Sequence, residues 1–235
     1  MTAMPATTNK QRLLATFFST LKRAYGDLGD PEPVRPVLEE MVYAILREDA
    51  TRPDADRAFG RLRSQFYDWN EVRVSAAHEV EEALAGLPQP AQKAQRLIDL
   101  LQEVFESTYS FDLETLHKKG VKQAAKQISR YQAASDYTVA WVTQRTLGGH
   151  AMPLDEGCLR VSRWLGLIEP NEDSVEAARA SLEHLVPKAQ GPMFVDYLSQ
   201  LARDAARKNW SDEAPPTLED LLAGGDGKRS RPKPR

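Results

Sequence analysis

The sequence predicts an all-α fold. Apolar residues recur at spacings of three and four through most of the chain, the period of a helix with one buried face. No stretch sustains the period-two alternation of β-branched residues that marks a strand. Breaks at Gly26, Gly86, Gly148-Gly149 and Pro170 divide the chain into helical segments. Together these predict one unit of about ten helices. No repeat recurs at a fixed period.

Met1 to Asn9 lacks periodicity and is expected to be a disordered N-terminus. Lys10 to Tyr25 places Leu13, Leu14, Phe17, Phe18, Leu21 and Tyr25 on one face, and Gly26 ends it. Three prolines make Asp27 to Pro36 a linker. Val37, Leu38, Met41, Val42, Ile45 and Leu46 predict a central apolar helix. Pro53 suits a first helical position, and Phe59, Leu62 and Phe66 continue that helix. A weaker helix holds Val74, Val80 and Leu84, ending near Gly86. Leu87 to Pro90 is a turn, and Ala94, Leu97, Ile98, Leu101, Val104 and Phe105 form a long helix. Short helices are expected at Phe111 to Leu116 and at Val121 to Ile128. Ser174 to Val186 and Pro192 to Lys208 are the last two. From Ser211 the composition changes to a proline- and glycine-rich tail with five basic residues in its last nine, expected to be disordered. Loose contact with nucleic acid is its functional reading, solubility the plain one.

Composition narrows the class. The chain has 235 residues, 41% hydrophobic and 28% charged, ordinary for a soluble globular protein. No apolar run approaches the ~20 residues that cross a bilayer, and no secretory signal pattern opens the chain. Cys158 is the only cysteine, so an internal disulfide and any multi-thiolate site are excluded. A cytoplasmic monomer without metal or other cofactor is the expectation.

The stretch from Ile128 to Ile168 organises the rest. One apolar-periodic run carries Tyr137, Val139, Ala140 and Val142 to the break at Gly148-Gly149. A short extended piece, His150 to Leu154, leads to Asp155, which opens a second amphipathic run through Leu159, Val161, Trp164 and Leu165. A carboxylate thus stands at the mouth of the second helix, where an ordinary N-cap also belongs. Net charge is −3, yet Thr115 to Leu154 holds Lys118, Lys119, Lys122, Lys126, Arg130 and Arg145 against Asp136 alone, a local +5. Such a patch can meet phosphate, or be a solvated helix face.

Several segments resemble the helix-hairpin-helix DNA glycosylases, the superfamily that includes endonuclease III and the adenine glycosylases. Leu154-Asp155-Glu156-Gly157-Cys158-Leu159-Arg160-Val161 resembles their V-D-x-x-x-x-R-V element, and Leu147 to Pro153 its lead-in. Tyr131-Gln132-Ala133-Ala134-Ser135-Asp136-Tyr137-Thr138-Val139 falls where their L-P-G-V-G-x-x-T-A hairpin lies. Tyr137 occupies the position of their lyase lysine, 18 residues before Asp155. Gly86-Leu87 with Lys93-Ala94 and Leu97 resembles their G-L-x-x-x-K-A-x-x-I segment, and Val37 to Thr51 their early apolar helix. The likeness spans about Val34 to Lys208.

The resemblance implies two helical lobes with a cleft, a domain over residues 10–210 and a middle lobe over about 53–130. The other lobe would join Lys10 to Leu46 with Val161 to Lys208. It implies double-stranded DNA as partner and base excision as activity, with Asp155 the carboxylate that steadies positive charge on the sugar. Tyr137 cannot form a Schiff base, so hydrolysis without strand cleavage is implied. Contact with DNA would come from Lys118, Lys119, Lys122, Lys126, Arg130, the hairpin residues Gln132, Ala133, Ala134 and Ser135, and His150. The cysteine quartet of the iron–sulfur members is absent, as it is in other members.

The chain also departs from the pattern. Hairpin glycines let the backbone turn its N–H groups onto phosphate through positive φ, and Ala133 and Ser135 stand there instead. Where the family carries a gap-filling glutamine, this chain has Glu48-Asp49. A catalytically inactive descendant that binds nucleic acid or protein is the alternative these departures favour. Trp141 and Trp164 read as core.

Overall fold

The computed structural model describes residues 6–26, 28, 35–169 and 174–208, and every regular element among them is helical. The α-helices are α1 (Ala6–Tyr25), α2 (Val37–Arg47), α3 (Arg52–Gln65), α4 (Trp69–Val74), α5 (Ala77–Ala83) and α6 (Pro90–Thr108). They continue with α7 (Val121–Ile128), α8 (Asp136–Arg145), α9 (Glu156–Trp164), α10 (Val175–Leu185) and α11 (Gly191–Arg207). Two 3₁₀ turns, Glu114–Lys118 and Lys188–Gln190, complete the set. The expected tail from Ser211 and most of the Asp27 to Pro36 linker lie outside the described residues.

Side-chain caps start many of these helices. Thr51, Asp68, Ser135, Asp155 and Ser174 each accept a hydrogen bond from a backbone N–H in the first turn of the helix that follows. Pro53, Pro90 and Pro192 occupy first-turn positions, where a missing N–H costs nothing.

Three elements differ from expectation. Helix α1 begins at Ala6, ahead of Lys10. The segment from Val74 to Leu84 is two helices rather than one, because Asp68 starts α4 early and the Glu79 carboxylate binds the Ala76 N–H to start α5. Val74 is consequently an exposed helix end, not a core residue. Phe111 precedes the 3₁₀ turn instead of lying in a helix over Phe111 to Leu116. The side chains of Ser110 and Asp112 bind the N–H groups two residues on, holding the chain in turns until Glu114.

Helix α2 is the axis of the core. From Val37 to Arg47 every residue except Glu39 is buried, because α8, α3 and α6 all pack against it. Helices α3 to α6 contact one another in one group, and α9, α10 and α11 with α1 in another. Trp141 of α8 is wholly buried between Tyr43 and Tyr137, and its indole N–H donates to the Glu40 carboxylate at 2.6 Å. Within α2, Leu46→Ala is expected to cost about 2–5 kcal/mol in chemical denaturation, since Leu46 is fully enclosed.

Two connections position the site. The break at Gly148 (φ +64°) turns the chain out of α8 into the piece that ends at Asp155. That piece is pinned down: Gln144 donates to the Ala151 carbonyl at 2.6 Å, Arg179 to the Met152 carbonyl at 3.0 Å, and the Met152 N–H to Glu183 at 3.1 Å. The second connection follows α2, whose last carbonyls are capped by Lys93. Its ammonium donates to Ile45 at 2.5 Å and to Glu48 at 2.6 Å.

Candidate active site and nucleic-acid interface

Asp155 is 5% exposed and both its carboxylate oxygens are engaged. Oδ1 accepts the Cys158 N–H at 2.8 Å and the Arg203 guanidinium at 2.9 Å. Oδ2 accepts the Asp49 N–H at 3.3 Å, the longest contact of the three. Asp155 is therefore an N-cap, as helix chemistry alone predicts, and also half of a buried ion pair, which it does not.

Asp49 comes from the loop after α2, in a left-handed conformation (φ 58°) that aspartate tolerates better than most residues. Its carboxylate takes a second hydrogen bond from Arg203, at 3.3 Å. Burial pushes the Asp49 carboxyl up, and the Asp155 charge adds to this, while Arg203 opposes.

Tyr137 is 3% exposed, on the first turn of α8, with its ring stacked on Trp141 at 5.8 Å and 22°. Burial raises its phenol well above the ordinary range; the nearby Arg47 lowers it, and Asp155, Cys158 and Glu48 raise it further. Those neighbours place Tyr137 in the electrostatic surroundings of Asp155. Arg47 is itself enclosed at 2% exposure, bound to the Ala50 carbonyl and, at 2.8 Å, to Ser199. The Cys158 thiol is buried and likewise pushed well up by desolvation, with Asp155 adding to it.

The connection between α7 and α8 is a tight hairpin, but none of residues 129–135 has positive φ. Ala133 is buried, Gln132 is exposed, and Ala134 and Ser135 are half-buried. An arginine fixes the turn instead. Arg96 of α6 donates to the Ala133 carbonyl at 2.8 Å, to Ser135 at 2.6 Å and to Thr138 at 2.9 Å. Its remaining nitrogen meets Glu48 at 2.5 Å. Glu48 is thus a paired acid beside the hairpin, which offsets the repulsion for phosphate its sequence position suggests.

Lys118, Lys119, Lys122, Lys126 and Arg130 are all exposed. Lys122 and Lys126 share one face of α7 at helical spacing, and Arg130 follows two residues past its end, at the entry to the hairpin. His150 has its Nε2 2.7 Å from the Glu183 carbonyl, which fastens the Asp155 lead-in to α10.

A cavity of about 390 Å³ lies beside Arg203, lined by the loop from Asp49 to Thr51, the start of α9 at Glu156 and Gly157, Trp164, and the end of α11; neither Asp155 nor Tyr137 is in its wall. Among the described residues no group of three or more histidine, cysteine or acidic side chains is arranged to hold a metal ion. Nor is any helix among them long and apolar enough to cross a membrane.

Arg47, Lys93, Arg96 and Arg203 were not legible as site residues. Each is a cation on an otherwise buried helix face, a departure from amphipathic patterning that is visible in sequence but not interpretable there. Lys93 shows the cost. At 6% exposure its ammonium is desolvated and its pKa falls to about 8, against the pull of Glu48 and Asp49. The folded state then releases a proton that the unfolded chain keeps until about pH 10.5. Stability should rise with pH through this window, by about 1–2 kcal/mol between pH 8 and 9.5. Urea melts of wild type and Lys93→Met across that range check it: the rise should be absent from the variant.

No protein-family model matches the chain. It is 23% identical over 137 residues to the Arabidopsis thaliana protein named "Putative DNA glycosylase At3g47830", a match covering 58% of this chain and 47% of that one. The chain therefore matches about half the length of that relative. Among solved structures it is similar to endonuclease III in a non-covalent DNA complex, with TM-score 0.63 and 16% identity over 91% of this chain and 95% of the other. A trapped covalent endonuclease III–DNA intermediate gives TM-score 0.60 and 17% identity, covering 81% and 84%. The 3-methyladenine DNA glycosylase of H. pylori bound to 1,N6-ethenoadenine gives 0.56 and 14%, covering 86% and 99%. The fold is that of the endonuclease III-like glycosylases.

Proposed function

We propose that this protein is a monofunctional DNA N-glycosylase of base-excision repair, with Asp155 as the carboxylate at the sugar. The observation that carries this reading is the setting of Asp155: an enclosed acid at a helix start, in the electrostatic reach of Tyr137. The likeness of fold to glycosylases bound to DNA, and the Arabidopsis relative, support it.

The target nucleotide is extruded, since its glycosidic bond is out of reach inside a duplex. As the bond to the base breaks, positive charge grows on the sugar ring, and a fixed carboxylate nearby lowers that barrier. Oδ2, held only by the long Asp49 contact, is the oxygen free to turn toward the sugar. Water adds to the anomeric carbon, the electron pair of the broken bond leaves with the base, and a proton from water balances it. The exposed cations of α7 carry the phosphates. Tyr137→Phe is expected to change the single-turnover rate only a few-fold. Tyr137→Lys, placing a desolvated amine there, is expected to give a borohydride-trappable adduct.

A second reading, a binding module without turnover, is favoured by two observations. Arg203 neutralises Asp155, and the hairpin has no left-handed residue to cradle phosphate. One experiment separates the two. Duplexes bearing deaminated, alkylated, oxidised or mismatched bases are incubated with the protein, and alkali then reveals abasic sites. Excision that disappears in Asp155→Asn supports the glycosylase. Duplex binding with no excision on any substrate supports the module. Strand nicking before alkali, trapped by borohydride, would mean a lysine acts as nucleophile and monofunctional hydrolysis is wrong.

A further inference from the structure

Gly157, the second residue of α9, has ordinary helical backbone, yet a Cβ added there would collide with a guanidinium nitrogen of Arg203, and with nothing so closely otherwise. Glycine inside a helix is unfavourable unless something needs the space. Here Arg203 needs it. From the opposite helix, α11, its guanidinium enters that slot and forks, one nitrogen to Asp155 Oδ1 at 2.9 Å and the other to Asp49 Oδ1 at 3.3 Å. Its Nε is buried without a hydrogen-bond partner.

We propose that Arg203, admitted by the missing side chain of Gly157, is a positioning residue that fixes the orientation of the Asp155 carboxylate. By holding Oδ1 together with the Cys158 N–H, it leaves Oδ2, which accepts only the long Asp49 N–H contact, as the oxygen to present to substrate. By bridging to Asp49, it ties the loop after α2 to the same acid. Arg203 itself does not touch the reacting atoms. This rests on the reading of Asp155 as the charge at the sugar, but the seating of the guanidinium can be tested without turnover.

The first test is a stability cycle. Gly157→Ala should lower the melting temperature of the wild type, because the methyl evicts Arg203. In an Arg203→Ala background the same change should raise it, since alanine is the better helix former once the slot is empty. Equal effects in the two backgrounds would overturn the proposal. The second test is chemical rescue. In Arg203→Ala the backbone amide signals of Asp49 and Cys158 should shift, and millimolar methylguanidinium should return them toward wild-type positions. If a lesion duplex is excised, the single-turnover rate of Arg203→Ala should fall at least tenfold with duplex affinity almost unchanged, and methylguanidinium should restore the rate. Amide signals that do not move, or a variant that excises as fast as wild type, would overturn the positioning role. Should wild type excise nothing, the glycosylase reading fails while the cycle and the amide signals still decide where Arg203 sits.

Discussion

Asp155→Asn is expected to abolish excision while leaving a folded, DNA-binding protein. Removing one strong electrostatic element aimed at developing charge costs ~100-fold or more in rate. Asparagine caps a helix about as well as aspartate, so the cap alone predicts no loss of stability. The ion pair changes that expectation. Arg203 is largely buried and would face a neutral amide oxygen, keeping only the more distant Asp49 as a charged partner. Leaving a buried charge wholly unpaired costs about 3–5 kcal/mol; with Asp49 retained, roughly 2–3 kcal/mol is expected. That corresponds to a fall of roughly 5–10 °C in melting temperature for a domain of this size. A second change, Arg203→Met in the same chain, should recover much of the stability and none of the excision. An Asp155→Asn variant that melts with the wild type would mean the Arg203 contact carries no weight.

Reversing Lys122, Lys126 and Arg130 together to glutamate is expected to abolish duplex binding at physiological salt. These side chains lie exposed along one face of α7 and at its exit into the hairpin. Removing one cation from a phosphate lowers the salt-dependence slope by about one, so the slope should fall by about three and affinity by at least ~100-fold. Stability should hardly change, because none of the three is buried. Affinity measured by fluorescence anisotropy over a salt series checks both numbers. An unchanged slope would place the DNA-binding face elsewhere on the molecule.

Much of the helical framework could be read because it rests on local chemistry. The three-and-four spacing of Val37 to Leu46 needs a buried face wherever that helix goes, and Ser135, Asp155 and Ser174 cap helices by bonding N–H groups three residues away. Errors fell where local signals competed. Asp68 and Glu79 split an expected single helix, since each offered a start signal stronger than the continuous apolar pattern around Val80. His150 lies in a loop between glycine and alanine, where its partner could not be known: the Glu183 carbonyl is 33 residues away in sequence.

By itself, then, the sequence determined the all-helical class, the openings of α9 and α10, the candidacy of Asp155 and Tyr137 through the family resemblance, and the basic run along α7. Each follows from neighbours within a few turns or from a recognisable spacing. Tertiary structure alone decided the state of the charges. Arg96 reaches Glu48 across 48 residues, Lys93 caps Ile45 across 48, and Arg203 reaches Asp155 across 48 and Asp49 across 154. The physical reason is that a buried charge must find its partner in space, and the energy of that pairing depends on distance and desolvation rather than on position along the chain.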